Sequence, residues 1–380
     1  MIFKLEHNIL LMINEFYEKL AKLAVKYALE VKKGQRVVVF GPSIAEDLFQ
    51  AIYAEVLKNG GHPLLIPTIE GTEELFYKHA SEEQLLYVDE VKKILRREFD
   101  CFIRIFGDYN RKKLALIDPK KIAKVKGSPA SLELSKIFNE RDSKGELKWV
   151  IIPYPCNSMA QEAGMDLFSY SEFVKKALFL DKEDPVKEWK EIKKNQDRIV
   201  EYLNKIDKLQ IIGEDTDLSL SVKGRKWINC SGQNNLPDGE VYTGPIEDSV
   251  NGHIRFTYPG IYLGKEVENI YLEFKDGKVT KATADKAEDL LQEIITIKNA
   301  DIIGEFAIGT NYGITDFTKN MLFDEKIGGT LHSALGMGFP ETGSKNLSAI
   351  HWDILKDMTV PGSKIIADGK VIYEEGQWKI

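Results

Sequence analysis

The sequence predicts an α/β fold: an N-terminal α/β domain with a mostly parallel sheet, followed by a strand-rich α+β domain. Three observations carry this. Over residues 36–67 an apolar strand, a helical stretch and a second apolar strand follow one another through short glycine-bearing connections, as in a βαβ unit. Past residue 209 the texture changes to short β-like pieces punctuated by Asp-Gly turn signals. Between the two lies a highly charged helical stretch, residues 182–209, that reads as a connecting helix. These features divide the chain into residues 1–185 and 186–380.

Taken in order, residues 15–32 carry apolar side chains at helical spacing and stop before Gly34. RVVVF at 36–40 is a continuous buried strand, and a helix over about 44–58 is closed by Asn59-Gly60-Gly61. PLLIP at 63–67, CFIRIF at 101–106 and WVII at 149–152 are the next strands, the last two separated by a Lys-rich helical segment. The second half offers QIIGE, LSLSV, EVYTGP, HIRFTY and NIYLEF as strands, then a hairpin signal at Asp276-Gly277. A helix follows at 282–299, then the strand IIGEFAIGT, and finally a hairpin turning at Asp368-Gly369.

With 380 residues, 43% hydrophobic and 29% charged, this is ordinary globular composition with ample material for two cores. A net charge of −7 argues against a nucleic-acid partner, which calls for a basic footprint. No apolar run approaches the ~20 residues a membrane span needs. Charges interrupt every apolar stretch of the N-terminus, which reads as an amphipathic helix rather than a signal peptide and implies a cytoplasmic location without membrane partners. Cys101, Cys156 and Cys230 are odd in number and scattered. They support neither a disulfide framework nor a thiolate metal site and read as small buried hydrophobes.

The chemistry concentrates in the second half. His351 and Asp353 are one residue apart in an apolar run, and on a strand residues i and i+2 share a face, so imidazole and carboxylate converge. These are ligand types that borderline-hard divalent metals take. His332 also has acidic company at short range, with Asp324, Glu325 and Glu341 nearby. Glu240 follows a Pro/Gly turn at the start of a strand. Glu305 falls inside an otherwise apolar strand, where a carboxylate is costly unless paired or metal-bound. His7, His62 and His79 belong to amphipathic segments and read as surface or satisfied core histidines, whereas His253 follows a turn that could line a pocket.

The segments LAVKYALEVKKGQRVVVF, GEDTDLSLSV, NNLPDGEVYTGP, GEFAIGTN, DEKIGGTLHSALGMGFPE and SAIHWD together resemble the thermophilic metallo-aminopeptidase family of the aminopeptidase T type. The resemblance covers nearly the whole chain. It implies a homodimer acting on peptide substrates with a free N-terminus, with two divalent ions (zinc, cobalt, magnesium or manganese) in the C-terminal domain. By motif position Glu240 and Glu305 match the first two ligand glutamates, Glu325 a bridging glutamate and His332 the first histidine. His351 and Asp353 match the pair holding the second ion. The departure is Phe339, where the family commonly has a tyrosine seven residues after this histidine; Tyr312 is a candidate substitute.

The expected reaction is metal-assisted hydrolysis of the N-terminal peptide bond, with Glu341 as the non-ligand acid/base or as the anchor of the substrate's free amine. Two other readings stand beside it. One is a mononuclear iron(II) ring-cleaving dioxygenase, since two histidines and one carboxylate form its facial triad and a branch resembling this family includes dihydroxypyridine dioxygenases. The other is a catalytically weakened metal-binding homologue, which Phe339 makes conceivable.

Overall fold

The fold is described from a computed structural model, over residues 15–380. The amphipathic reading of the first residues and the reading of His7 lie outside that range. The described residues form two compact units, one running up to Glu188 and including Gly232–Leu236, the other made of Trp189–Ser231 with Pro237–Ile380. No helix among the described residues is long and apolar enough to cross a membrane.

In the first unit, β1 (Arg36–Pro42), β2 (His62–Thr68), β3 (Cys101–Phe106) and β4 (Lys148–Pro153) form a sheet in the order β2-β1-β3-β4, every pairing parallel. Helices fill each crossover, as parallel neighbours require. The helix Glu46–Lys58 joins β1 to β2 and buries Leu48, Phe49, Ile52 and Val56 on one face. Side-chain caps set several helix starts: Ser81 makes a capping box with Gln84, and Asp118 and Ser128 each cap a helix that begins with proline.

The second unit is antiparallel. Its larger sheet contains β5 (Lys208–Gly213), β6 (Thr216–Ser221), β9 (Asn251–Arg255), β12 (Tyr271–Lys275), β13 (Lys278–Thr283), β17 (Lys364–Ala367), β18 (Lys370–Glu374) and β19 (Gln377–Trp378). They run in the order β13-β12-β9-β6-β5-β17-β18-β19. The smaller sheet has β7 (Ile228–Cys230), β8 (Glu240–Thr243), β14 (Ile303–Gly309), β15 (Thr330–Gly336) and β16 (His351–Asp357), ordered β16-β15-β14-β8-β7. A short ribbon, β10 (Gly260–Tyr262) and β11 (Lys265–Val267), stands apart from both.

Both Asp-Gly hairpins form. Asp276 and Gly277 have φ of 50° and 83°, and Asp368 and Gly369 have 45° and 85°, the left-handed pair that matches strand twist. The helix expected at 282–299 is shorter, Glu288–Thr296, because β13 runs on to Thr283 and pairs with β12. One core cluster joins residues of both sheets, among them Ile211, Leu218 and Ile365 from the larger and Val241, Phe306, Leu335 and Ile354 from the smaller.

Candidate metal centre

Strand alternation builds the site. Val241, Phe306, Ile308, Leu331, Leu335, Trp352 and Ile354 all point into the core. Their chain neighbours Glu240, Glu305, His332, His351 and Asp353 therefore share the opposite face. Pairing registers confirm the alignment: Gly309 is opposite Glu240, Ala307 opposite His332, Ala334 opposite both Glu305 and Asp353, and Gly336 opposite His351. Alanine and glycine at the intervening positions leave room for the acidic and imidazole groups. A one-residue slip would exchange the two faces, so burial of the apolar set fixes the polar one.

Glu305 owes its place to a bulge between Ile303 and Glu305. Gly304 is the extra residue, and a Cβ there would come within 2.3 Å of the Gly336 carbonyl oxygen. Glu325 caps the short helix Met321–Asp324 and reaches the same cluster.

The donor atoms are close. His332 Nε2 lies 3.3 Å from Glu240 Oε2 and 3.6 Å from Glu305 Oε1. His351 Nε2 lies 3.2 Å from Glu305 Oε2 and 3.4 Å from Asp353 Oδ1. Among the described residues four sets of donors converge within 4.8 Å: Cys230 with Asp238 and Glu240, Glu240 with Glu305 and His332, Glu305 with His351 and Asp353, and Glu325 with His332 and Asp353. Glu305 thus turns one oxygen to each histidine, a shared position that the family resemblance implies for Glu325. His351 Nδ1 is 2.8 Å from the Met337 carbonyl, which can only accept, so Nδ1 carries hydrogen and Nε2 faces the carboxylates.

Lys326, which its DEK sequence context disguises as part of a solvated charge run, is the main residue that sequence reasoning misses. It is 2% exposed, with Nζ 2.5 Å from Glu240 Oε1 and 2.6 Å from Glu325 Oε1. Burial opposes its charge, but these carboxylates prevail and hold the ammonium well above its ordinary pKa. Cys230 is a second addition. It is paired opposite Glu240 and has Asp238 within donor distance, and burial pushes its thiol up, which keeps it protonated.

Asp238, Glu240 and Glu325 face the Lys326 ammonium while Glu305 and Asp353 face the histidines. Five carboxylates against one ammonium leave four net negative charges when all the carboxylates are ionised and both imidazoles are neutral. Burying that charge is costly unless cations compensate it. Glu240 Oε2, Asp353 Oδ1 and both ring nitrogens of His332 are buried without a hydrogen-bond partner. Without a metal ion, protons take up part of the load. Burial disfavours the charged imidazoles, yet Glu305, Glu240 and Asp353 raise His332 to about 9, and Asp353 with Glu305 raises His351 to about 11. Burial also lifts Glu325 to about 7.

A pH prediction follows from these values. Ligand nitrogens must lose their protons to bind a cation, and at pH 7.5 both rings carry one. Binding is therefore expected to release about two protons, and affinity to rise as pH climbs toward 9. Calorimetry in buffers of different ionisation enthalpy measures the release; an uptake or a null result would show that the rings are already neutral.

The remaining candidates are placed as follows. Glu341, in the short turn Pro340–Thr342, is exposed and accepts a hydrogen bond from the Tyr242 hydroxyl at 3.1 Å. Tyr242 lies on the polar face, opposite Ala307. The Phe339 ring stands between, 5.4 Å from the Tyr242 ring and 4.9 Å from His351. Tyr312 does not replace the missing phenol, because its hydroxyl donates to the Gly376 carbonyl at 2.7 Å. His253 packs on Tyr271 in the larger sheet, and His62 and His79 are exposed.

Buried carboxylates and imidazoles that converge in this way, with several atoms left unpaired, are the donor chemistry of a metalloprotein. Comparison with known proteins narrows the class. The chain belongs to the thermophilic metalloprotease family (M29), which it matches over residues 13–378. Relatives include Aminopeptidase 2 of Geobacillus stearothermophilus, 27% identical over 95% of this chain and 97% of that protein. Aminopeptidase AmpS of Bacillus subtilis is 27% identical over 96% and 99%. Aminopeptidase T of Thermus thermophilus is 26% identical over 96% and 98%. The solved structure of wild-type AmpT from Thermus thermophilus has the same fold, with a TM-score of 0.81 at 23% identity, covering 96% of this chain and 99% of that one.

Proposed function

We propose that this chain is an aminopeptidase that hydrolyses the N-terminal peptide bond of peptides with a free N-terminus. Residues 1–185 form its N-terminal α/β domain and 186–380 its catalytic domain, with two divalent cations (zinc, cobalt, magnesium or manganese) on the polar face of the smaller sheet. The observation that carries this reading is Glu305, one oxygen toward His332 and the other toward His351, between two donor groups. Glu240 and His332 would hold one cation, His351 and Asp353 the other, with Glu305 shared and Glu325 closing the set. Such a set exceeds the two histidines and one carboxylate of an iron(II) oxygenase triad. The names of the relatives support the peptidase reading.

When bound, such cations lower the pKa of a water toward neutrality and polarise the scissile carbonyl. The chain's own groups do the rest. Glu341 belongs to none of the metal-capable groups, and its carboxylate is held by the Tyr242 hydroxyl at the edge of the polar face. It is the group for the substrate's ammonium, which needs an anion that no cation neutralises. Tyr242 is a positioning residue that fixes Glu341, and Phe339 walls the position between Tyr242 and His351.

Glu341→Gln is expected to raise KM for aminoacyl amides by roughly tenfold to a hundredfold, the worth of a charge-assisted hydrogen bond, with kcat nearly unchanged. Tyr242→Phe is expected to shift KM the same way by less. A collapse of kcat at unchanged KM would instead give Glu341 the proton-transfer role. A homodimer in the cytoplasm is part of the proposal on the ground of family resemblance, and sedimentation of the full chain tests the dimer.

A further inference from the structure

The first unit contains a second arrangement of charge unrelated to the metal centre. In the order β2-β1-β3-β4, the chain leaves β1 for β2 on one side and later returns to pair β3 on the other. Open parallel sheets form a crevice beyond the carboxyl ends of their strands where the order reverses in this way. A cavity of about 280 Å³ occupies that position, lined by Phe40 and Gly41 at the end of β1 and by Arg104 and Phe106 at the end of β3. Deeper on the same face Val38 and Phe102 are packed in an apolar cluster, and the packing stops at Arg104.

Charge pairing in the lining is incomplete in a specific way. Lys113 is committed, with Nζ 2.7 Å from Asp108 Oδ1 and 3.1 Å from Glu73 Oε2. Arg104 has no hydrogen bond or ion pair among the described residues, and Glu70 and Glu74 have no cation partner there. One guanidinium and two carboxylates, none with a charged partner among the described residues, therefore share one small cavity, and Glu74 Oε2 is the one of their atoms that is buried and unpaired.

The ligand must carry both signs. A phosphate or other simple anion meets a lining with more carboxylates than cations, and a metal ion meets Arg104. We propose that this crevice binds a free α-amino acid, its carboxylate on the Arg104 guanidinium and its ammonium on Glu74 and Glu70. The planar guanidinium takes a carboxylate through two parallel hydrogen bonds. Two acidic side chains against one basic favour an amino acid with a second positive charge, so L-lysine and L-arginine bind best. The Phe40 ring suits the methylene stem of such a side chain, while the Phe106 ring carries the Arg111 guanidinium 5.0 Å from its centroid.

The test is calorimetric titration of the full-length, metal-loaded protein with L-lysine, L-leucine, cadaverine and Nα-acetyl-L-lysine. One L-lysine binds per chain and L-leucine binds more weakly. Cadaverine, lacking the carboxylate, and the acetylated compound, lacking the α-ammonium, lose most of the affinity. Arg104→Met and Glu74→Gln each weaken L-lysine binding by roughly tenfold to a hundredfold. Arg104→Lys, which keeps charge but not the fork, falls between. His351→Ala binds L-lysine as the wild type does, and Arg104→Met hydrolyses aminoacyl amides at the wild-type rate. Arg104 is exposed, so its variants keep the fold, which circular dichroism checks. The proposal is overturned by no L-lysine binding at millimolar concentration, by unchanged binding in Arg104→Met and Glu74→Gln, or by loss in His351→Ala alone, which would locate the amino acid at the metal centre.

Discussion

Glu305→Gln is expected to lower kcat/KM for aminoacyl amides by ~10³-fold or more and to reduce the cations held per chain, while leaving the folded structure in place. Glutamine fills the same volume in a position only 4% exposed, so packing against β15 and β16 is kept. What it loses is the anion that faces both histidines at 3.6 and 3.2 Å. A metal centre supplies several kcal/mol of transition-state charge stabilisation, and each ~1.4 kcal/mol is tenfold in rate. The variant has a second signature in the metal-free protein. Burial works to raise Glu305, but the adjacent imidazoles of His332 and His351 outweigh it and hold the carboxyl below the ordinary range, so Glu305 in turn supports both imidazoliums. Its neutral replacement lowers both histidine pKa values, and proton release on cation binding shrinks. Turnover within a few-fold of wild type would remove Glu305 from the catalytic centre.

The second large effect is on stability. Lys326→Met keeps the length of the side chain but removes the charge between Glu240 and Glu325. Breaking a buried pair by deleting one partner costs about 3–5 kcal/mol, because the remaining buried carboxylates lose the ammonium that offset their desolvation. The metal-free variant is expected to lose about that much in urea unfolding at pH 8. Burial already raises both carboxylates, so they protonate readily as the pH falls, and the deficit narrows toward pH 5. Added divalent cation recovers part of the loss by mass action. Equal stability of the two proteins at pH 8 without metal would mean that the lysine is only an incidental neighbour.

Much of the architecture can be read from the chain because it is local. The βαβ opening, both Asp-Gly hairpins and the convergence of His351 with Asp353 depend on short spacings and on strand alternation. A glutamate in the apolar run IIGEFAIG is visible as an anomaly before any strand is paired. Long-range features are not visible in this way. The order of the smaller sheet, which lays Glu240 beside β14 and β16 beside β15, depends on pairings between residues up to 69 positions apart, as Glu240 is from Gly309. Lys326 looks like any lysine in a charged run until Glu240, 86 positions away, folds against it. Tyr242 reads as an ordinary strand aromatic, and only register brings it to the polar face beside Glu341. The late start of the helix Glu288–Thr296 has a similar cause, since pairing with β12 extends β13 into residues whose own pattern is helical.

Anomalous diffraction from crystals of the full chain grown with zinc or manganese tests the central claim most directly. Two peaks are predicted, one bound by Glu240 and His332 and the other by His351 and Asp353, each about 2.0–2.2 Å from its ligand atoms, with Glu305 reaching both. A single peak, or two peaks with Glu305 bound to neither, would contradict it.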